Sequence, residues 1–325
     1  MQFSYFKKKG PNNIYTVAFY NLENLFDTKN DPSKLDDDFT PKGFKKWTYK
    51  RYSSKVKKLS KTIASLGAKG SDKYPAMVGI AELENEAVIR DLITSRPLRK
   101  AGYSYVHYDS PDERGIDTAL LYHPKYFEVI TSETIHLDVF NLDGNKDATR
   151  DILYVKGILN KEEIHVFVNH WPSRRSGEIE TAYKRIKAAE TIRSFMDKIE
   201  LDDPLPNYLI MGDFNDGPDA DSIQLLLEES TLNNPMEKLL TSKRGSANYK
   251  ATWSLFDQIL LSNTFLTNKK GTHSFAHANI FDEHFLREWH GNYKGNPFRT
   301  FVGKKYLGGF SDHFPVYIQL KYQER

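Results

Sequence analysis

The feature that most constrains this chain is a set of short apolar segments, each closing on an acid, an amide or an imidazole. Tyr15 to Tyr20 runs into Asn21 and Glu23, and Val78-Gly79-Ile80 leads to Glu82. Val166-Phe167-Val168 delivers Asn169 and His170, and Leu209-Ile210-Met211 delivers Asp213 and Asn215. Segments this short, rich in β-branched and aromatic residues and bounded by polar or turn-forming ones, read as buried strands. An Asp or Asn after a single strand is ordinarily a turn former or a helix cap. Repeated four times, the pattern predicts a sheet-built site lined by hard oxygen donors, the kind that Mg²⁺, Mn²⁺ or Ca²⁺ prefers.

Further strands are expected at 76 to 81, 117 to 122, 152 to 159, 164 to 169, 258 to 261 and 316 to 320. Helical spacing places Val56, Leu59, Ile63 and Leu66 on one stripe, with Lys55, Lys57, Lys58 and Lys61 on the opposite face and Gly67 as the stop. A second helix is expected from Glu178 to Ile199, ahead of Pro204 and Pro206, and a third from about Asp219 to Leu227. Strands outnumber helices and no Gly/Ser linker or charge block divides the chain. The prediction is therefore one α/β domain over residues 1 to 325, with residues 1 to 13 as a flexible N-terminal extension. The 20 Phe and 19 Tyr suit broad sheet faces. Two long loops, 27 to 47 with its acidic run Asp36-Asp37-Asp38, and 283 to 309, are the length at which loops carry function.

A net charge of +3 excludes binding nucleic acid by bulk basicity alone, so any polyanion site must be local. The absence of cysteine excludes disulfides, thiolate zinc sites and thiol nucleophiles. No run of 18 apolar residues is present, so no transmembrane segment is expected. The opening Met-Gln-Phe-Ser-Tyr-Phe-Lys-Lys-Lys-Gly is too short and polar for a signal core, which makes the cytoplasm the expected location; a trimmed leader would leave the same sequence.

Six segments in order resemble the endonuclease/exonuclease/phosphatase superfamily, which includes DNase I and the abasic-site endonucleases. They are Tyr-Asn-Leu-Glu-Asn at 20 to 24, Ala-Glu-Leu-Glu-Asn at 81 to 85, Arg-Gly-Ile-Asp-Thr-Ala-Leu-Leu-Tyr at 114 to 122, Asn-His-Trp-Pro-Ser-Arg at 169 to 174, Gly-Asp-Phe-Asn at 212 to 215 and Ser-Asp-His-Phe-Pro-Val at 311 to 316. Phe-Asp-Gln-Ile-Leu-Leu-Ser at 256 to 262 adds a seventh, and the first segment is similar to a bacterial branch with Tyr-Asn-Val-Glu-Asn-Leu-Phe-Asp. The resemblance implies a four-layered α/β sandwich, two packed and mainly antiparallel sheets flanked by helices.

It also implies roles. Glu82 matches the metal-binding glutamate, with Asp312 completing or flanking that site and Asn21 and Glu23 near the metal. Asp213 and Asn215 match the pair that positions the attacking water and grips phosphate, and His313 matches the histidine at the scissile phosphate, oriented by Asp257. His170 matches the second histidine of the DNase I-like members, where abasic-site enzymes carry tyrosine, which points to a general phosphodiesterase. Asn169, Arg114, Arg174 and Arg299 are the candidate substrate-binding residues, arginine being suited to phosphate geometry. For Arg114 an ion pair with Asp112 or Asp117 is the alternative. Removing one member of such a unit is expected to cost about two to four orders of magnitude in rate. The implied activity is Mg²⁺- or Mn²⁺-dependent (Ca²⁺ a further option) hydrolysis of nucleic acid by a monomer. A phospholipid head group, an inositol phosphate or another small phosphoester is the alternative substrate, and a catalytically silent binding module the third reading.

Overall fold

The computed structural model describes residues 13–175, 177–228 and 231–324. Most of the expected N-terminal extension, residues 1 to 12, lies outside them. Asn13 is tied down, its side-chain amide donating to the Tyr322 carbonyl at 3.1 Å.

Two main sheets are built from strands β1 (Ile14–Leu25), β2 (Met77–Leu83), β3 (Ser104–His107), β4 (Asp117–Tyr122), β5 (Phe127–Ile135), β6 (Ile152–Leu159), β7 (Glu162–His170), β8 (Tyr208–Asp213), β9 (Leu232–Asn233), β10 (Asp257–Ser262), β11 (His273–Ile280) and β12 (Val316–Tyr322). One sheet has the order β11-β12-β1-β2-β4-β3 and the other β9-β10-β8-β7-β6-β5. Pairing is antiparallel except at the centre of each sheet, where β1 runs parallel to β2 and β8 parallel to β7. Val17, Phe19, Val78 and Leu121 of the first sheet share one core with Val166, Val168, Met211 and Ile259 of the second. The sheets approach closely at Gly79, where a Cβ would stand 2.7 Å from the Met211 sulfur.

Helices cover the outer faces. Helix α1 (Tyr49–Ser65) and helix α2 (Glu86–Thr94) lie on the first sheet. Helix α3 (Ala182–Glu200) and helix α4 (Asp221–Leu227) enclose Phe167, Ile210 and Leu260 of the second. The result is the expected four-layered sandwich. Helix α1 stops where Gly67 takes a positive φ of 70°, the left-handed turn that glycine allows. One residue departs from the expected pattern: Lys55 is 1% exposed. It lies three residues after Tyr52 and four before Leu59, which puts it on the buried stripe and not on the solvated lysine face.

Candidate active site

The sheet topology explains why distant segments meet. Asn21, Glu82, His170 and Asp213 sit at the C-terminal ends of β1, β2, β7 and β8. β10 and β12 run antiparallel to β8 and β1, so they present their N-terminal ends, Asp257 and the residues just before Val316, on the same rim. Asp213 and Asp257 are direct cross-strand partners. Two like charges so placed repel unless something stands between them.

That role falls to His313. Its Nδ1 is 2.7 Å from Asp257 Oδ2 and its Nε2 is 3.9 Å from Asp213 Oδ2. Burial alone would lower the imidazole pKa, but the carboxylates of Asp257 and Asp213 outweigh it and hold His313 well above the usual histidine range. Asp213 is itself pushed up to about 6, chiefly by burial. It accepts hydrogen bonds from Asn21 Nδ2 at 3.0 Å and from the Asn215 backbone N–H at 3.0 Å. Asn215 in turn donates its side-chain amide to the Trp171 carbonyl at 3.0 Å.

His170 behaves oppositely. Its Nε2 is 3.8 Å from both Glu82 Oε1 and Asp213 Oδ2, while its Nδ1 is buried without a partner. Burial, then the charges of Arg150, Arg114 and His313, push its pKa well below the ordinary value. One imidazole of the site is therefore charged at neutral pH and the other neutral.

Asp213, Asp257 and His313 hold ligand atoms within 4.8 Å of one another, a geometry that metal sites and proton-handling triads share. A protonated His313 has no lone pair to give, which favours the second reading. A hard divalent cation is better served elsewhere. Glu82 Oε2 accepts from the Asn24 N–H at 2.8 Å, which leaves Oε1 free of hydrogen bonds, and Asp312 Oδ2 takes Arg299 Nη2 at 2.7 Å, leaving Oδ1 free. These open carboxylate oxygens fit the group; Glu23 does not. Its side chain is closed in by the Thr300 and Phe301 N–H groups at 2.6 and 3.5 Å and by Lys55 at 3.8 Å. Asn21 contributes differently as well, its carbonyl oxygen accepting the Glu23 N–H at 2.9 Å.

Several of these residues hold unusual backbone. Glu23, Asn24, Glu82 and Asn215 have φ of 49°, 52°, 61° and 51°, a region costly for residues with a side chain and characteristic of sites where geometry is imposed by the surrounding fold.

The four residues expected to bind substrate are placed unequally. Asn169 is fully buried, donating to the Met211 carbonyl at 3.1 Å and accepting from the Trp171 indole at 3.2 Å. Both ends of its amide are spent on the sheet, so it cannot reach a substrate. Arg174 is spent on the Asn215 carbonyl, on Asp216 at 2.7 Å and on Glu178, which makes it a brace for the Asn215 loop. Arg114 donates to the Asn24 side chain at 2.6 Å; the alternative ion pairs do not form, because Asp112 holds Arg150 at 3.0 Å and Asp117 holds His107 at 2.9 Å. Arg299 bonds Asp312 and approaches Glu23 to 3.6 Å.

Sequence reasoning missed Lys55 and Arg150. Arg150 donates to the Trp171 carbonyl at 2.8 Å and helps keep His170 neutral. It lies outside every recurring segment, so no spacing pointed to it.

Comparison with known proteins agrees with this geometry. The model of the Endonuclease/Exonuclease/phosphatase family matches residues 16–322, whereas no curated protein matches the sequence. Among solved structures, TDP2 of D. rerio complexed with a single-strand DNA product superposes with a TM-score of 0.59 at 14% identity, covering 95% of this chain and 100% of that one. A mannosyl-6-phosphatase of Bacteroides thetaiotaomicron gives 0.59 at 17% identity, covering 95% and 100%. An endonuclease/exonuclease/phosphatase family protein of the same organism gives 0.59 at 16%, covering 95% and 98%. At these identities the likenesses speak for the fold, and the match over nearly the whole chain speaks for descent. The chain belongs to the endonuclease/exonuclease/phosphatase family and is a metal-dependent hydrolase of phosphoester bonds.

Proposed function

We propose that the chain is a phosphodiesterase that cleaves nucleic-acid strands by in-line attack of water on phosphorus. The observation that carries this reading is the pairing of a charged His313 with a neutral His170 on either side of one Asp213 carboxylate. A phosphate seated there meets a cationic donor, a neutral imidazole and a carboxylate able to take a proton.

Asp213, deprotonated, aligns the attacking water and accepts its proton, held in place by Asn21 and by the Asn215 N–H. His313 keeps one N–H on Asp257 and directs the other at a phosphate oxygen, where charge grows in the transition state. His170 adds a polar contact without adding charge. Glu82 and the open oxygen of Asp312 would hold the divalent ion, which would supply positive charge against the phosphate, and the departing oxygen takes its proton from water. No covalent enzyme intermediate is required.

A strand-like substrate is favoured by a cationic wall beside the site. The hairpin at 301 to 306 carries exposed Lys304 and Lys305 and packs on the 37 to 47 loop, where Lys45 donates to the Gly303 carbonyl at 2.6 Å. Arg51 stacks on Tyr306 with 4.3 Å to the ring centroid. Cations interleaved with rings suit a backbone with bases. The second reading, a small phosphoester, is favoured by the fold shared with the Bacteroides mannosyl-6-phosphatase.

The deciding experiment compares single-stranded and plasmid DNA, RNA, sphingomyelin, inositol phosphates and a hexose 6-phosphate, with Mg²⁺, Mn²⁺, Ca²⁺ or chelator, and Asp213→Ala as control. Metal-dependent cleavage of polynucleotide that the substitution abolishes is expected. Turnover confined to the lipid or the small phosphates would overturn the nucleic-acid reading, and turnover indifferent to Asp213→Ala would overturn the site.

A further inference from the structure

The carboxylate directly after Asn215 is buried and has no part in the chemistry of the site. Asp216 is 5% exposed and takes up two guanidinium groups at once. Arg174 Nη2 lies 2.7 Å from its Oδ1, and Arg185 Nε lies 2.8 Å from its Oδ2. Ser222, in the first turn of α4, donates its hydroxyl to Oδ2 at 2.5 Å. Arg185, on α3, is 1% exposed and is held further by Thr181 Oγ1 at 2.8 Å and by the Glu178 carbonyl at 2.9 Å.

These contacts reach all three strand ends from which the second sheet delivers His170, Asp213 and Asp257. Arg174 follows His170 by four residues. Its Nε donates to the Asn215 carbonyl at 2.6 Å, and its guanidinium lies over the Phe256 ring, 4.9 Å from the centroid and next to Asp257. On the other side of Asp257, Gln258 Nε2 donates to the Asp216 carbonyl at 2.9 Å. Between Asp213 and Asp216 the chain turns through the left-handed φ of 51° at Asn215, a conformation that persists only where the surroundings impose it. That turn aims the Asn215 N–H at Asp213 Oδ1, 3.0 Å away.

A buried ion pair stabilises a fold little, because the desolvation of its charges offsets their attraction. Stability therefore does not explain a carboxylate shared by two arginines; its place in the chain does. We propose that Asp216 is a positioning residue of the hydrolytic site: by holding Arg174 and Arg185 it fixes the left-handed turn at Asn215, and with it the hydrogen bond that orients the Asp213 carboxylate. One carboxylate thus sets the geometry of its neighbour three residues back, while the loop behind His170 and the strand of Asp257 are tied to the same point. The inference rests on the reading of Asp213 as the group that handles the attacking water.

The test combines Asp216→Ala with Arg185→Met, so that Arg185 is not left buried without its carboxylate. It reads thermal melts, hydrolysis of bis(p-nitrophenyl) phosphate with Mn²⁺, and amide hydrogen exchange. The double variant should melt close to wild type, while kcat falls about 30- to 100-fold and KM stays within about twofold. Exchange over residues 213 to 217 should quicken while the central strands stay protected. The Asn215 N–H favours the charged form of Asp213, which also faces His170, His313 and Asp257, so its loss should move the acid limb of the kcat profile to higher pH. Wild-type kcat, or a lower kcat with an unmoved acid limb, would overturn the proposal and leave Asp216 a structural ion-pair partner. Should the double variant fail to fold, Arg174→Leu, at a partly buried position, carries the test. It should lower kcat at least about tenfold at unchanged KM; a raised KM at unchanged kcat would make Arg174 a substrate contact and sink the proposal. A wild-type chain that hydrolyses no phosphoester would refute the proposed function, and hydrogen exchange at Asn215 would still decide the role of Asp216, unchanged exchange in the variant ruling it out.

Discussion

His313 and His170 share the Asp213 carboxylate as a neighbour but hold opposite charge states. Asp257, fully buried, bonds the His313 ring and with Asp213 keeps it charged, whereas burial and the charges of Arg150, Arg114 and His313 keep His170 neutral. Asp257→Asn should therefore disable the site while sparing the fold. We expect kcat to fall by about two to four orders of magnitude, with the His313→Asn double variant little worse than either single one, because residues acting as a unit are not additive. Steady-state rates on the preferred substrate, with thermal melts as control, measure this. A third histidine makes a prediction about stability. His165 is 3% exposed, accepts from or donates to Tyr154 at 2.7 Å through Nδ1, and has its pKa lowered mainly by burial. Its neutral form is the one the fold accommodates. The associated stability is complete above the unfolded value of 6.5 and is lost as pH falls through that value toward the folded one. Between pH 7 and pH 5 the melting temperature of wild type should drop more than that of His165→Asn, and parallel curves would remove His165 from the account.

At the scale of elements, the proposed nucleic-acid reading assigns binding to the cations of the 301 to 306 hairpin and the 37 to 47 loop, and chemistry to the strand-end rim. Lys304→Glu with Lys305→Glu should raise KM for polynucleotide several-fold and steepen its salt dependence less than in wild type, while hydrolysis of bis(p-nitrophenyl) phosphate stays unchanged. Equal losses on both substrates would place these lysines in the catalytic machinery. The elements themselves were unevenly legible. Strands buried on both faces, such as Tyr208–Asp213 and Ile152–Leu159, announce themselves because every residue is apolar or nearly so. Phe127–Ile135 and His273–Ile280 escape notice because they are edge strands with many exposed positions, and their partners, not their composition, make them strands. Glu86–Thr94 was also passed over, although Asn85 caps it by accepting from the Ala87 and Val88 N–H groups. Asn21, Glu82, His170 and Asp213 could be read from strand ends, whereas Asp257 and His313 entered through the family resemblance. What spacing could not convey is which polar groups the fold uses up, so Asn169 and Glu23 looked open and Lys55 looked solvated. That information resides in the long-range contacts, Thr300 to Glu23 among them.

Across the whole molecule, two glycines of the central strands separate packing within a sheet from packing between sheets. At Gly212 an added Cβ would stand 2.4 Å from the Asn169 carbonyl oxygen and 2.5 Å from the Asn169 Cβ, whereas at Gly79 it would meet the flexible end of Met211. Gly212→Ala should accordingly cost more than Gly79→Ala, the first on the order of 3 kcal/mol and the second nearer 1 kcal/mol by urea denaturation; the reverse order would mean that the sheets, not the parallel pair, set the limit. Metal removal should act on a different quantity. Because the core between the sheets is apolar and complete without an ion, chelator should abolish turnover while leaving the circular dichroism spectrum in place and lowering the melting temperature only by the lost binding term. The pairing of β1 with β12, residues 14 to 19 against 316 to 321, carries one more consequence, in time and not in space. On the ribosome, the strand that bears Asn21 emerges long before the neighbour it pairs with at 316 to 321, and His313 emerges only just ahead of that neighbour. The site is thus unassembled until that later segment has been made, and a chain ended by a stop codon before 311 lacks Asp312 and His313 and with them the hydrolytic site.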